Sequence, residues 1–212
     1  MLRRLPLSNT TLVIEIEERT TGRLGDGGAL WDAGIELGDF LVSRVGGFQG
    51  SKVVELGSGT GHVAIVAAAL GAALSIATDL PGEPLELLQA NCERNSETAA
   101  SCIAMPLDWN SEADAEAVRT TAGSSGVDFI IGADVSYLDE FCEPLLKTIL
   151  HLGTATTCVY FCHKHRPVRQ DGNYDDGAAF PFEQTWRAKG VRLVARHETS
   201  WPNIFISEFR ID

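Results

Sequence analysis

The chain has 212 residues, 44% of them hydrophobic, and a net charge of −12 from 17 cationic and 29 acidic side chains. That size and apolar content suit one domain with its own core. The acidic average repels a nucleic-acid backbone, so a dedicated duplex binder is not expected and a cationic partner fits better.

The basic cluster at residues 163–169 (HKHRPVR) is the one local exception to that acidity. The five cysteines are odd in number and include no C-x-x-C pair. They read as buried free thiols of a reducing compartment, with no metal site expected. The N-terminal MLRRLPLSNTTLVIEIEE has no long apolar run and turns acidic by Glu15. Neither a signal peptide nor a membrane span is expected there, which suggests a cytoplasmic location that could extend to the nucleus.

Taken in chain order, alternation over residues 11–17 (TLVIEIE) predicts a strand, and the glycines of 19–28 a loop. Residues 1–26 are expected to order on substrate binding. Helical spacing runs over 31–45. A short apolar strand is predicted at 52–56, then a helix at 63–70 ended by Gly71. A strand at 74–78 leads into Asp79, and a helix at 84–95 carries Pro84 in its first turn. A strand at 101–105 is followed by LDWN, then a helix at 111–121 capped by Ser111 with Asp114 three residues on. A strand at 127–133 ends in Asp134, a helix covers 139–150, and a strand covers 156–162. Residues 170–179 (QDGNYDDGAA) read as a mobile polar loop. A helix at 181–189 precedes two strands, 191–197 and 203–211, antiparallel to each other. Repeated strand-then-helix units predict an α/β fold: a doubly wound, mostly parallel seven-stranded sheet with helices on both faces and an antiparallel C-terminal edge. Residues 1–50 form an extension and 51–212 the core of a single domain.

The stretch VVELGSGTG (53–61) ends an apolar strand in an acid followed by alternate glycines. Glycines after a first strand allow a tight turn and close approach of a ligand. A phosphate-cradling loop would need Gly-Lys-Ser/Thr, but Gly59, Thr60, Gly61 and His62 stand there. A dinucleotide fingerprint needs glycine at the sixth position from Gly57, which is His62. A ribose-binding acid about 20 residues on is met by Asp79. His62 reads as a helix-start residue. His163 and His165 share a strand face and read as a polar rim.

VVELGSGTG and ATDL (77–80) resemble the first two motifs of the class I S-adenosylmethionine-dependent methyltransferases. GGALWDAGIELGDFL (27–41), LPGEPLELLQANCERN (80–95), LDW (107–109) and GADVSY (132–137) resemble, in order, the METTL21-like protein-lysine methyltransferases of family 16. The likeness runs from about residue 27 to 165. It implies S-adenosylmethionine as cofactor, with Trp31 contacting it from the first helix. Glu55, Gly57, Ser58, Gly59 and Gly61 would form its backbone cradle. Asp79, followed by Leu80, would accept from the ribose, Asp108 and Trp109 would flank the adenine, and Ala133 would lie beside the cofactor. Asp134 and Tyr137 match a D-x-x-Y motif that borders the target side chain. The implied partner is a protein carrying the target lysine, met by a monomer. A histidine, an N-terminal amine or a small molecule as acceptor stays open, as does a non-catalytic module of the same fold. Bland readings also stand: Trp31 as core, Asp108 as a cap, Tyr137 as packing.

Overall fold

The computed structural model describes residues 1–8, 10–21, 24–44, 47–165 and 180–212. The polar loop 170–179 and the 166–169 part of the basic cluster lie outside them. In chain order come β1 (Leu2–Pro6), β2 (Val13–Glu17), a 3-10 turn (Gly25–Gly28) and α1 (Asp32–Arg44). Then follow β3 (Lys52–Leu56), α2 (His62–Ala69), β4 (Leu74–Asp79), α3 (Glu83–Arg94), β5 (Cys102–Pro106) and α4 (Glu112–Ala122). The last elements are β6 (Phe129–Ala133), α5 (Cys142–Leu152), β7 (Cys158–Lys164), α6 (Glu183–Arg187), β8 (Val191–Glu198) and β9 (Ile204–Ile211).

Seven strands form one sheet in the order β5-β4-β3-β6-β7-β9-β8. β3 to β7 pair parallel, while β9 runs antiparallel to both β7 and β8. The doubly wound sheet with an antiparallel C-terminal edge is therefore as the periodicity predicts. Its central strands are apolar on both faces: Val53, Val54 and Leu56 of β3 are fully buried, as a strand covered by helices on both sides requires. α2 is buried on every side from His62 to Ala68, which matches its uniformly apolar sequence. After the buried Val191, β8 alternates exposed and half-buried positions, the pattern of an edge. The chain winds outward from β3 to β5, then restarts at β6 on the other side of β3. The carboxyl ends of β3 and β6 thus flank a switch in strand order, where open α/β sheets form their ligand crevice.

β1 was not visible in the sequence, because LRRLP lacks β-branched residues and carries a proline. It pairs antiparallel with β2 in a separate two-stranded sheet. The expectation that residues 1–26 order on substrate binding is overturned for this hairpin. Ile14 and Ile16 are fully buried, and Asn91 of α3 with Asn95, the residue that caps its carboxyl end, satisfy the outer edge of β2. Asn95 Oδ1 accepts from Glu15 N at 2.8 Å and Asn91 Oδ1 from Glu17 N at 2.8 Å. Their amides donate back to the Glu15 and Glu17 carbonyls at 2.7 and 3.0 Å. Four helical residues rise about 6 Å and two strand residues about 6.7 Å, so the two repeats match. Asn91 also donates to Thr60 O at 2.9 Å, which ties the hairpin to the glycine turn.

Several boundaries moved by two or three residues, and two of the shifts have a visible cause. Residues Asp139–Phe141 form a 3-10 turn and α5 starts at Cys142, because Pro144 is tolerated only within a first turn. β7 starts later than predicted because Thr157 closes a turn on Thr154 and its hydroxyl donates to Val127 O at 2.6 Å. All five cysteines are free thiols, and four of them are buried. No helix among the described residues is long and apolar enough to cross a membrane.

Candidate active site

Gly57, Gly59 and Gly61 have φ values of 63°, 53° and 80°, a left-handed backbone that disfavours any side chain. Space enforces the same choice. A Cβ at Gly57 would lie 2.8 Å from Val135 Cγ1 and 3.1 Å from the Trp109 ring. One at Gly61 would lie 2.5 Å from Leu88 Cδ1. The turn is held from β4: Ser58 N donates to Thr78 O at 2.8 Å, and Ser58 Oγ accepts from Thr78 N at 3.0 Å. Gly59 N donates to Asp79 Oδ2 at 2.7 Å, and Leu80 N to Asp79 Oδ1 at 2.8 Å. The acid at the end of β4 is therefore locked to the glycine turn with both oxygens engaged. Burial raises the Asp79 carboxyl above its ordinary range, and these two N–H bonds pull it back.

Glu55, 2% exposed, accepts from Ala64 N at 2.9 Å. It caps α2, whose own N-terminal residue Gly61 has no side chain to do so. Burial pushes its carboxyl up to about 8, against hydrogen bonds from Ala64 and Ser58 that lower it. Glu55 thus carries its proton at neutral pH. His62, the first residue of α2, is buried and held down to about 4, by burial first and then by the Arg3 charge. It is a neutral imidazole, so its reading as a helix-start residue holds, and it also lines the cavity.

A cavity of about 1170 Å³ opens at the carboxyl ends of β3, β4, β5, β6 and β7. Every predicted site residue lines it except Gly61, which turns the backbone beneath it. Trp31 is 41% exposed and stands at the cavity from the start of α1, so its reading as plain core fails. Trp109 is half-buried there, with its Nε1 buried and unpartnered, a donor facing no acceptor of the protein. Asp108 does act as a local acceptor, taking Asn110 N at 2.9 Å. The cap of α4 is Ser111, which accepts from Asp114 N at 3.2 Å. Asp108 lines the cavity in addition.

Ala133 ends β6, and Asp134 follows with φ 56°. This left-handed conformation costs a non-glycine residue about 1–3 kcal/mol. Asp134 N donates to Cys162 O at 2.7 Å, and its Oδ1 lies 3.5 Å from Lys164 N, so the kink is fixed by β7. Tyr137 is 51% exposed and its ring meets Phe141 edge-on at 5.5 Å. Phe141 meets Trp109 in the same way at 5.4 Å. A row of aromatic rings therefore joins the Trp109 end of the cavity to the Asp134 end.

The sequence had not pointed to Leu30, Glu140, Phe141, Pro144 or Lys164 as cavity residues. Leu30 is placed there by its backbone N, which donates to Glu18 Oε1 at 2.9 Å. The polar-rim reading is corrected for His163, while His165 is half-buried just past the end of β7. His163 is 3% exposed, packed between Phe180 and Phe205 at 5.7 and 6.0 Å, and neither histidine lines the cavity. Alternation along β7 turns Lys164 the other way, into it.

A seven-stranded sheet of this order, with this glycine turn and strand-end acid, defines the Rossmann-like fold of the S-adenosylmethionine-dependent methyltransferases. A TehB-like methyltransferase of that class from Corynebacterium glutamicum superposes at TM-score 0.57, over 89% of this chain and 92% of that one, at 14% identity. A family model described as lysine methyltransferase matches residues 8–175, and the chain belongs to that family. The protein N-lysine methyltransferase METTL21A of Danio rerio is 36% identical over 70% of this chain and 66% of its own length. The EEF1A lysine methyltransferase 3 of Mus musculus is 33% identical over 72% and 62%. The chain thus spans just under two thirds of these curated relatives.

Proposed function

We propose that this protein transfers methyl groups from S-adenosylmethionine to a lysine side chain of a protein substrate. The observation that carries the reading is the continuous cavity joining the Asp79-locked glycine turn to Asp134 and Tyr137. Its volume exceeds the about 300–1,000 Å³ of a typical small-molecule site, which leaves room for a donor and an aliphatic side chain together. The family membership and the names of the relatives support lysine as acceptor.

The residues fit such a donor. The left-handed glycines leave their backbone bare of Cβ atoms, Trp109 offers an apolar ring and an unused N–H, and Asp79 presents fixed oxygens to ribose hydroxyls. When bound, the donor supplies an already activated sulfonium methyl, so the protein need provide no nucleophile. Its task is alignment, which can contribute a large part of the rate. An incoming lysine has an ordinary pKa of about 10.4 and must lose a proton before it can attack. The carboxylate of Asp134 favours the ammonium and so recruits it, while desolvation against Tyr137 and Phe141 favours the neutral amine. Asp134 thus serves binding and the aromatic pair serves reactivity. The reading includes a monomeric, cytoplasmic enzyme whose net charge of −12 suits a cationic protein segment.

The test is calorimetric titration with S-adenosylhomocysteine. The wild-type protein is expected to bind. Asp79→Ala removes two charge-assisted hydrogen bonds to the ribose, each worth about 1.5 kcal/mol, and should weaken affinity about 100-fold. Labelled donor and cell extract would then show methylated lysine with the wild-type protein and not with Asp134→Ala. Absence of wild-type binding would overturn the reading.

A further inference from the structure

We infer that Lys164 is a site of self-methylation: the protein transfers a methyl group to its own lysine when no substrate fills the cavity. The inference rests on the methyl-transfer reading above.

Lysine is scarce in this chain; Lys52, Lys147, Lys164 and Lys189 are the whole set. Lys164 is the one that lines the cavity. Lys52, the first residue of β3, is bound at the amino end of the strands, away from the cavity, donating to Ala122 O at 2.6 Å and Ser125 Oγ at 2.8 Å. Lys164 is the last residue of β7, which pairs with β6 up to Ala133 and Cys162. Its backbone N lies 3.5 Å from Asp134 Oδ1, so its side chain leaves the sheet beside the D-x-x-Y acid. Its ammonium lies 3.5 Å from Asp32 Oδ2 at the start of α1, one residue from Trp31. The pair links β7 to the start of α1.

The side chains of this pair are 42% and 35% exposed. Exposed ion pairs hold weakly, and a lysine stem is long and flexible. The Asp32 pair itself therefore costs little to open. A tethered amine also competes at a high effective concentration. In the step, deprotonated Nζ forms a bond to the methyl carbon as the methyl–sulfur bond breaks. The electron pair stays on sulfur, which leaves as the neutral thioether S-adenosylhomocysteine, and the released proton passes to solvent. A substrate lysine would enter the same space, displace Lys164 and suppress the reaction.

The protein is mapped by peptide mass spectrometry as isolated from cells, and again after incubation with labelled donor and no other protein. We expect single-methyl mass increments on the Lys164 peptide. The initial rate per molecule should not change with protein concentration, since transfer is intramolecular. Lys164→Arg should abolish the label, with its melting temperature confirming that it folds. Asp32→Asn should raise the initial rate, up to about fivefold, the limit set by one exposed ion pair. Label at another residue, or a rate that climbs with protein concentration, would overturn the inference, as would methylated extract proteins beside unmodified Lys164. Failure to label either the extract or the protein itself would instead sink the methyl-transfer reading, and this inference with it.

Discussion

The two ends of the cavity are built differently. The end at β3 and β4 is backbone: three left-handed glycines, strand-end amides, the buried Glu55 and the half-buried Asp79, each acid bonded to a neighbouring N–H. The end at β6 and β7 is side chain: the half-exposed Tyr137, the Phe141 ring and the Lys164–Asp32 ion pair. On the proposed function, a shared small donor needs the same fixed frame in every turnover, whereas a protein segment must enter and leave. Rigidity at one end and exposure at the other are what those two demands require, and substitutions should separate them.

The largest effect is expected at Gly57. Alanine there would hold an L-residue in the left-handed region, at about 1–2 kcal/mol, and press its Cβ on Val135 and Trp109, at about 1–3 kcal/mol for overpacking. Gly57→Ala should lose about 2–5 kcal/mol in denaturant unfolding and weaken S-adenosylhomocysteine binding as Trp109 shifts. Gly27→Ala is the control: Gly27 lines the same cavity, yet nothing lies within 4 Å of a Cβ there. Equal stability of the two variants would break the account of the rigid end.

A smaller effect, spread over pH, is expected at Glu55. Its carboxyl stands at about 8 in the folded protein against an ordinary 4.5. The native state therefore keeps a proton that the unfolded chain has lost between those values. This contribution to stability is complete below 4.5 and disappears as pH rises through about 8, at up to about 1.4 kcal/mol per pH unit. Asp79, also raised by burial, adds to the same slope. Glu55→Gln keeps an acceptor for Ala64 N and cannot ionise. Its unfolding free energy should fall less than that of the wild type between pH of about 5 and about 8. Identical slopes would mean that Glu55 is ionised in the folded state.

The rigid end was legible in the sequence for a physical reason. A left-handed turn admits few residues but glycine, and a strand-end acid at the right interval has few other uses, so Gly57, Gly59 and Asp79 could be picked out. The open end was only half legible. Asp134 and Tyr137 came from a resemblance, while Lys164 depended on which way β7 alternates at its last residue. His163 was misread because Phe180 and Phe205, which bury it, lie far away in sequence. The hairpin was missed for a related reason. Asn91 and Asn95 are polar residues on the buried face and at the carboxyl cap of α3, and what they bond is the backbone of β2, which composition does not reveal.

Tyr137 offers the smallest change in stability and the sharpest division between the ends. Its ring is 51% exposed, so Tyr137→Phe should stay within about 0.5 kcal/mol of wild-type stability. The phenylalanine keeps the edge-on contact with Phe141 and removes only the hydroxyl. If the hydroxyl orients the incoming amine, its loss costs one hydrogen bond, about 1.4 kcal/mol, and kcat/KM for a lysine substrate should fall about tenfold. Affinity for S-adenosylhomocysteine should not move, because the contacts that hold the donor end run through β3 and β4. A drop in that affinity equal to the drop in kcat/KM would show that the aromatic row from Trp109 through Phe141 to Tyr137 joins the two ends into one unit.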